Sequence, residues 1–448
     1  MGFLYSFVMQ RGSLLSEFFE IAYAAASNKL CLFTGTGFSK AVTNNEAPSW
    51  QGLLESVCDI TPDPVSLKAA LFPPGGKSLL SLEESAQVIS IELSKIDKNI
   101  HEEIAARIQT LTLKGDISAI GDFLSKRSLK VVTTNYDKLL EVLSCEADCH
   151  SLTPGLPIPR SEARVKIYHV HGSIDSPENM VVTSDDYFRF INSESYFSRK
   201  LSTVLHENTV VILGYSLGDT NLKAIISDYK GFSRSHVIGS NIFLMSRSAV
   251  NQHIKDYYAH CYGIRVLDQI EVNDFFKSLN ASMPEAEKCL ASSMDNIKKV
   301  VFAKHSFSKD YLRIENTFFE IVSSLAAIGV SINDARVVKA LGDVIQSKIT
   351  LTQENGAWVQ YEHLARWLIY LASILELKGT SIEKIYLDAA LRSMNSMRKD
   401  YYPGYSWHAF KSWSYRWPGI IASNRALIRR HIEASTAWPD ALSVVRSA

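Results

Sequence analysis

Four short segments in the first half of the chain carry residue types able to grip and activate a polar ligand: FTGTGFS (Phe33 to Ser39), TTNYD (Thr133 to Asp137), HVHGS (His169 to Ser173) and LGYSLGDTN (Leu213 to Asn221). His169 and His171 offer imidazoles, which titrate near working pH and can remove a proton from a sugar hydroxyl or polarise it. Asn135 and Asp137 place an amide and a carboxylate two residues apart, suited to orienting a water or ribose hydroxyl and to accepting from a carboxamide. Gly35 and Gly37 permit a close approach of backbone N–H groups to a pyrophosphate. Ser216 suits a phosphate or ribose contact, and Asp219 or Asn221 either caps the next helix or meets the ligand. Each segment alone also has a plain structural reading, a tight βα turn or an Asn/Asp helix cap. Together they describe an active site. The two histidines have no acidic or cysteine companion at metal-ligand spacing, which favours proton transfer over metal binding.

Such residues converge only if the elements before them are parallel. Each segment follows a short apolar, β-rich run: Leu30 to Phe33, Lys130 to Thr133, Val165 to Val170 and Val210 to Leu213, with further runs at Ile242 to Met245 and Ile264 to Leu267. Helical periodicity separates them, from Ser13 to Ser27, Ser81 to Leu93 and Ile100 to Leu113. Strands separated by helices predict an α/β fold, a Rossmann-like doubly wound parallel sheet whose strand ends open into one crevice.

Past about residue 285 the strand signal ends. Helices are expected over Glu315 to Ile328, Asp334 to Lys348, Trp358 to Leu377, Ile382 to Met397 and Ile420 to Ala434, giving a catalytic domain at 1–284 and a C-terminal all-α domain at 285–448. Six of the seven tryptophans fall in that second domain, either filling helix crossings or forming a partner-binding face.

The 47 Lys+Arg balance 47 Asp+Glu, so no global field draws the chain to nucleic acid or an anionic membrane. Arg425, Arg429, Arg430 and His431 make one basic helical face, read as a solvated turn. Six scattered cysteines lack disulfide-framework spacing, and neither a signal peptide nor a membrane span is evident, which points to the cytoplasm.

Taken together, the motifs resemble the sirtuin (silent information regulator) family, in its divergent bacterial branch, over roughly residues 14 to 275. Gly35-Thr36-Gly37-Phe38-Ser39 resembles the family's Gly-Ala-Gly-x-Ser loop, Asn135-Tyr136-Asp137 its Asn-Ile-Asp, His171-Gly172 its catalytic His-Gly, and Gly214-Tyr215-Ser216 its Gly-Thr/Ser-Ser. The resemblance implies His171, not His169, as the catalytic histidine acting on the ribose. It implies Asn135 at the ribose or attacking water, Asp137 at the nicotinamide, and Gly35, Thr36, Gly37, Ser39, Gly214, Ser216 and Asp219 around the rest of NAD+.

Two family features are missing. The zinc ribbon's paired Cys-x-x-Cys motifs are reduced to Cys145-x-x-x-Cys149-His150, so no metal is expected, and Ala47-Pro48-Ser49-Trp50 replaces the arginine-bearing Gly-Ile-Pro-x-Phe-Arg segment. Zinc-less relatives with helical domains are similar to anti-phage effectors that destroy NAD+. The implied activity is NAD+ hydrolysis to nicotinamide and ADP-ribose, with an NAD-dependent protein deacylase or a non-catalytic NAD or ADP-ribose sensor as the alternatives, in a homo-oligomer and with a partner such as a HerA-type ATPase, a short Argonaute or a nucleotide pyrophosphatase.

Overall fold

The computed structural model describes residues 17–75, 78–145, 148–192, 196–215, 226 and 241–447. Its centre is a seven-stranded sheet: β1 (Leu30–Thr34), β2 (Leu129–Thr133), β3 (Cys149–Leu152), β4 (Val165–His169), β5 (Thr209–Leu213), β6 (Ile242–Met245) and β7 (Ile264–Leu267). The strand order is β3-β4-β2-β1-β5-β6-β7, and every pairing is parallel. The chain winds outward on one side of β1 and then returns to its other side through β5. That reversal is where a doubly wound sheet opens a ligand crevice.

Strand periodicity sorts the side chains into two cores. Leu30, Leu32, Val131, Val211 and Phe243 face one way, where they join residues 17–26, the Ser118–Lys126 helix and the C-terminal helices in one continuous apolar cluster. Cys31, Phe33, Val132, Val210 and Ile212 face the other way, towards Phe197, Val204 and Leu205 of the Tyr196–Glu207 helix. A third core joins the helices Trp50–Cys58, Leu82–Ser94 and Ile100–Ile108, all lying between β1 and β2 in sequence, to Tyr136, Met180 and Val182.

Helices at Thr317–Ala327, Ala335–Leu351, Trp358–Ile374, Glu383–Asn395, Trp407–Arg416 and Ala422–Ser435 build the C-terminal part. Residue 284, where the sequence divides the chain, lies inside the single 32-residue helix Val272–Ala303, which accommodates Pro284. The two parts also share buried polar contacts. Glu20 meets Arg265 in the sheet and lies 3.1 Å from Tyr370 Oη in the helical part, and Tyr23 Oη is 3.2 Å from Ser324 Oγ. Burial would raise the Glu20 carboxyl strongly, and the Arg265 charge offsets this only in part, leaving it raised. Trp367, Trp413 and Trp417 are buried at helix crossings, whereas Trp358 is exposed. Arg425 pairs with Asp256 and donates to the carbonyls of Pro418 and Ile420, so it braces the two parts rather than facing solvent.

Candidate active site

Strand register sets the height of the site. Thr34 is level with Thr133 and with Leu213, and Thr133 with His169, so four of the strands release their following loops at one level. A cavity of about 980 Å³ opens there, lined among others by Thr36, Ser39, Asn135, Asp137, His171 and Gly214. Six residues expected from sequence at a ligand site thus share one wall. Ser216 and Asp219 lie outside the described residues.

Gly35 and Gly37 do not line the cavity, and their N–H groups are already engaged, donating to Leu213 O at 3.0 Å and Gly214 O at 2.7 Å. Their structural part is a tight crossing of the loops after β1 and β5. Gly214 has φ +62, and a Cβ there would lie 2.1 Å from Phe38 N; one on Gly37 would lie 2.7 Å from Gly214 Cα. No side chain fits between these backbones.

Ser39, Asn135 and Asp137 form one relay. The Asn135 amide donates to Ser39 Oγ at 2.8 Å, and Ser39 Oγ donates to Asp137 Oδ2 at 2.7 Å, while Asp137 Oδ1 accepts from Leu139 N at 3.2 Å. Burial raises the Asp137 carboxyl above its ordinary range, and the hydroxyl and N–H donors oppose that only in part. Ser39 therefore acts first as the link that orients Asn135 on a buried carboxylate.

The two histidines part company although they stand two apart. His169 is fully buried, with Nε2 2.7 Å from Glu141 Oε1 and Nδ1 3.1 Å from Asn135 O. Burial would raise Glu141, but the His169 hydrogen bond and charge, together with Lys138, hold it at about 2. Lys138 continues the network to Asp175 and Ser151. His171, one step beyond β4, lines the cavity instead, with the rings of Tyr187 and Phe190 edge-on at 5.4 Å each. Gly172, at φ +86, permits the turn, since a Cβ would meet Met180 Cα at 2.8 Å.

Several contributors carry no local sequence signal. Glu141 is one, as are Tyr187 and Phe190 on the helix Ser184–Asn192. Ala47, Pro48, Ser49 and Trp50, which stand where the family has an arginine-bearing segment, do line the cavity, and Trp50 packs edge-on against Tyr136 at 5.9 Å. The described lining holds Glu83, Glu84 and Asp137 but no lysine or arginine. Cys145 is exposed and Cys149 half-buried, and no group of three or more potential metal ligands occurs among the described residues. Nor is any described helix long and apolar enough to cross a membrane.

Comparison with known proteins agrees with this architecture. The SIR2-like domain family matches residues 129–267, the span from the first residue of β2 to the last of β7. Defense-associated sirtuin 2 of Bacillus subtilis is 22% identical over 283 residues, covering 60% of this chain and 26% of that protein. The NAD(+) hydrolase ThsA of Cytobacillus dafuensis is 24% identical over 223 residues, covering 48% and 40%. ThsA of Enterococcus faecium is 33% identical over 110 residues, 23% of each chain. The chain thus matches well under half the length of these curated relatives. The family match and the all-parallel sheet together place a SIR2-like domain at residues 129–267.

Proposed function

We propose that the cavity binds NAD+ and hydrolyses it to nicotinamide and ADP-ribose. The observation that carries this reading is the convergence of Asn135, the Ser39–Asp137 pair and His171 on one cavity at the ends of β1, β2 and β4. The bond from ribose C1′ to the pyridinium nitrogen breaks with its electron pair moving to nitrogen, which neutralises the ring. Water then bonds to C1′ and releases a proton. The intermediate state resembles an oxocarbenium ion, so placement and electrostatics supply most of the acceleration. A described wall with carboxylates and no lysine or arginine favours the cationic end of the substrate.

His171 takes the ribose hydroxyl proton or polarises that hydroxyl. Asn135, anchored through its amide nitrogen, presents its oxygen to the ribose or the attacking water. Asp137 faces the carboxamide. The names of the relatives, two of them NAD(+) hydrolases and one defense-associated, support the same reading.

The biological role we propose is an abortive-infection effector of the cytoplasm, held in check until an assembly or a partner protein engages its helical part. HerA-type ATPases, short Argonautes and nucleotide pyrophosphatases are the partner classes to test. Chromatography of NAD+ and nicotinamide, with the full chain alone and with each candidate partner, checks the activity, and light scattering on the same samples checks the assembly. Intact NAD+ under every condition rejects hydrolysis.

A further inference from the structure

The helix Ser184–Asn192 roofs His171, contributing Ser184, Tyr187 and Phe188 to the cavity and packing Tyr187 and Phe190 on the His171 ring. Its start is fixed from below. Asp185 N donates to Gln87 Oε1 at 3.2 Å. Asp186 is buried, and its Oδ2 accepts from Val182 N at 3.2 Å, Thr183 N at 2.9 Å and Thr183 Oγ1 at 2.8 Å. The same oxygen lies 2.8 Å from Nε2 of His101, in the helix Ile100–Ile108.

The other ring nitrogen of His101 also faces an oxygen. Nδ1 is 3.0 Å from Asn99 Oδ1, and that atom is fixed as the oxygen because it accepts the His101 backbone N–H at 2.8 Å. An imidazole between two acceptors satisfies both only when both nitrogens carry hydrogen. The ring is then a cation on a buried carboxylate, the stronger kind of hydrogen bond.

We infer that His101 is a positioning residue, a cationic clasp that holds the Ser184–Asn192 roof, and through it the His171 ring, in place over the bound ligand. His101 touches no reacting atom. Charged or titratable groups around the clasp include Arg189, paired with the second oxygen of Asp186; Tyr136, in electrostatic range of both Asp186 and Glu83; Asp185 and Glu102, next in sequence to Asp186 and His101; and Glu178 on the Pro177–Asn179 turn packed against the Ile100–Ile108 helix. Burial would raise the Asp186 carboxyl, but the His101 bond and the Thr183 donors outweigh it and hold the group well below its usual range. That direction matches a carboxylate kept ionised by its partner.

The test uses the full chain with His101→Ala, His101→Gln and His101→Arg. In His101→Ala, amide hydrogen exchange across residues 184–192 rises about tenfold or more, the loss of one charge-assisted bond, while β1 and β5 exchange as in the parent. His101→Arg, which keeps a cationic donor, restores protection, and His101→Gln restores it in part. Nitrogen NMR of the parent ring shows both nitrogens carrying hydrogen, the pattern that two facing acceptors demand. Where the chain hydrolyses NAD+, KM rises about tenfold in the alanine variant with a smaller change in kcat. Only this last measurement rests on the NAD+ reading. Intact NAD+ under every partner condition, together with the expected exchange and ring signals, rejects that reading and keeps the clasp. Unchanged exchange in His101→Ala, loosening of the whole molecule alike, or one bare ring nitrogen in the parent overturns the clasp.

Discussion

Replacing Ser39 by alanine removes a single oxygen at the centre of the relay. Asp137 Oδ2 loses a donor at 2.7 Å and the Asn135 amide loses an acceptor at 2.8 Å. One of these bonds reaches a buried carboxylate. At about 1 kcal/mol for the neutral bond and about 2 kcal/mol for the charged one, the loss is about 3 kcal/mol at neutral pH. It depends on pH, with a sign that follows from Asp137. Its native pKa is raised above the ordinary 3.8, so the folded protein binds the proton more tightly than the unfolded chain does. The ionised group therefore costs stability increasingly as pH rises through the interval above 3.8. Deleting the Ser39 donor widens that interval. Urea denaturation of parent and variant should accordingly show a deficit that narrows as the pH is lowered from neutrality towards 3.8, because the variant's further raised carboxyl takes up its proton first. Nicotinamide release should fall by up to about a hundredfold, since Asn135 is no longer fixed. A deficit below about 1 kcal/mol, or one equal at both pH values, refutes the relay.

Three further outcomes are expected. His171→Ala should abolish nicotinamide release with the circular-dichroism spectrum unchanged, whereas His169→Ala should lower denaturation stability by about 2 kcal/mol or more because it leaves the buried Glu141 carboxylate with Lys138 as its one remaining partner; the reverse pattern would exchange the roles of the two residues. Glu141, ordinarily at 4.5 and held at about 2, contributes stability that is complete above 4.5 and is lost as the pH falls from there to about 2; acid titration of Glu141→Gln should lack that component. Gly214→Ala, with its Cβ 2.1 Å from Phe38 N at positive φ, should cost upwards of about 3 kcal/mol and yield little soluble protein, and a normal yield with an unchanged melting temperature would contradict the tight loop crossing.

The parts of the fold written in unbroken apolar runs were readable. β1, β5 and β6 are such runs, β2 and β4 interrupt theirs with one half-buried lysine each, and β7, an edge strand, still holds three apolar residues of four. β3 was not readable, because Cys149-His150-Ser151-Leu152 is an edge strand with three half-buried residues and no apolar run. Five of the C-terminal helices fall close to their expected limits, but Trp407–Arg416 was not expected, and the short helices Lys309–Arg313 and Pro439–Val445 have too few turns to show a period. At the site, the convergence of segments could be foreseen, since parallel strands force it. The division of labour between His169 and His171 rests on Glu141, which is 28 residues away from its partner. The His101–Asp186 contact joins residues 85 apart, and nothing local to either one marks it. Gly35 and Gly37 carry the opposite lesson: a glycine pair that reads as a phosphate cradle has its N–H groups taken by a neighbouring loop.

The continuous core beneath the sheet sets a schedule for synthesis. Glu20 waits for Tyr370 across 350 residues of chain, and Tyr23 for Ser324 across 301. At about 5–20 residues per second, the ribosome delivers Ser324 roughly 15–60 s and Tyr370 roughly 18–70 s after its partner. For that time the face of residues 17–26 and the matching face of the sheet have no cover, and apolar surface left open so long is what holdase chaperones capture. The chain therefore matures late and all at once, with its catalytic half completed only when the last helices emerge.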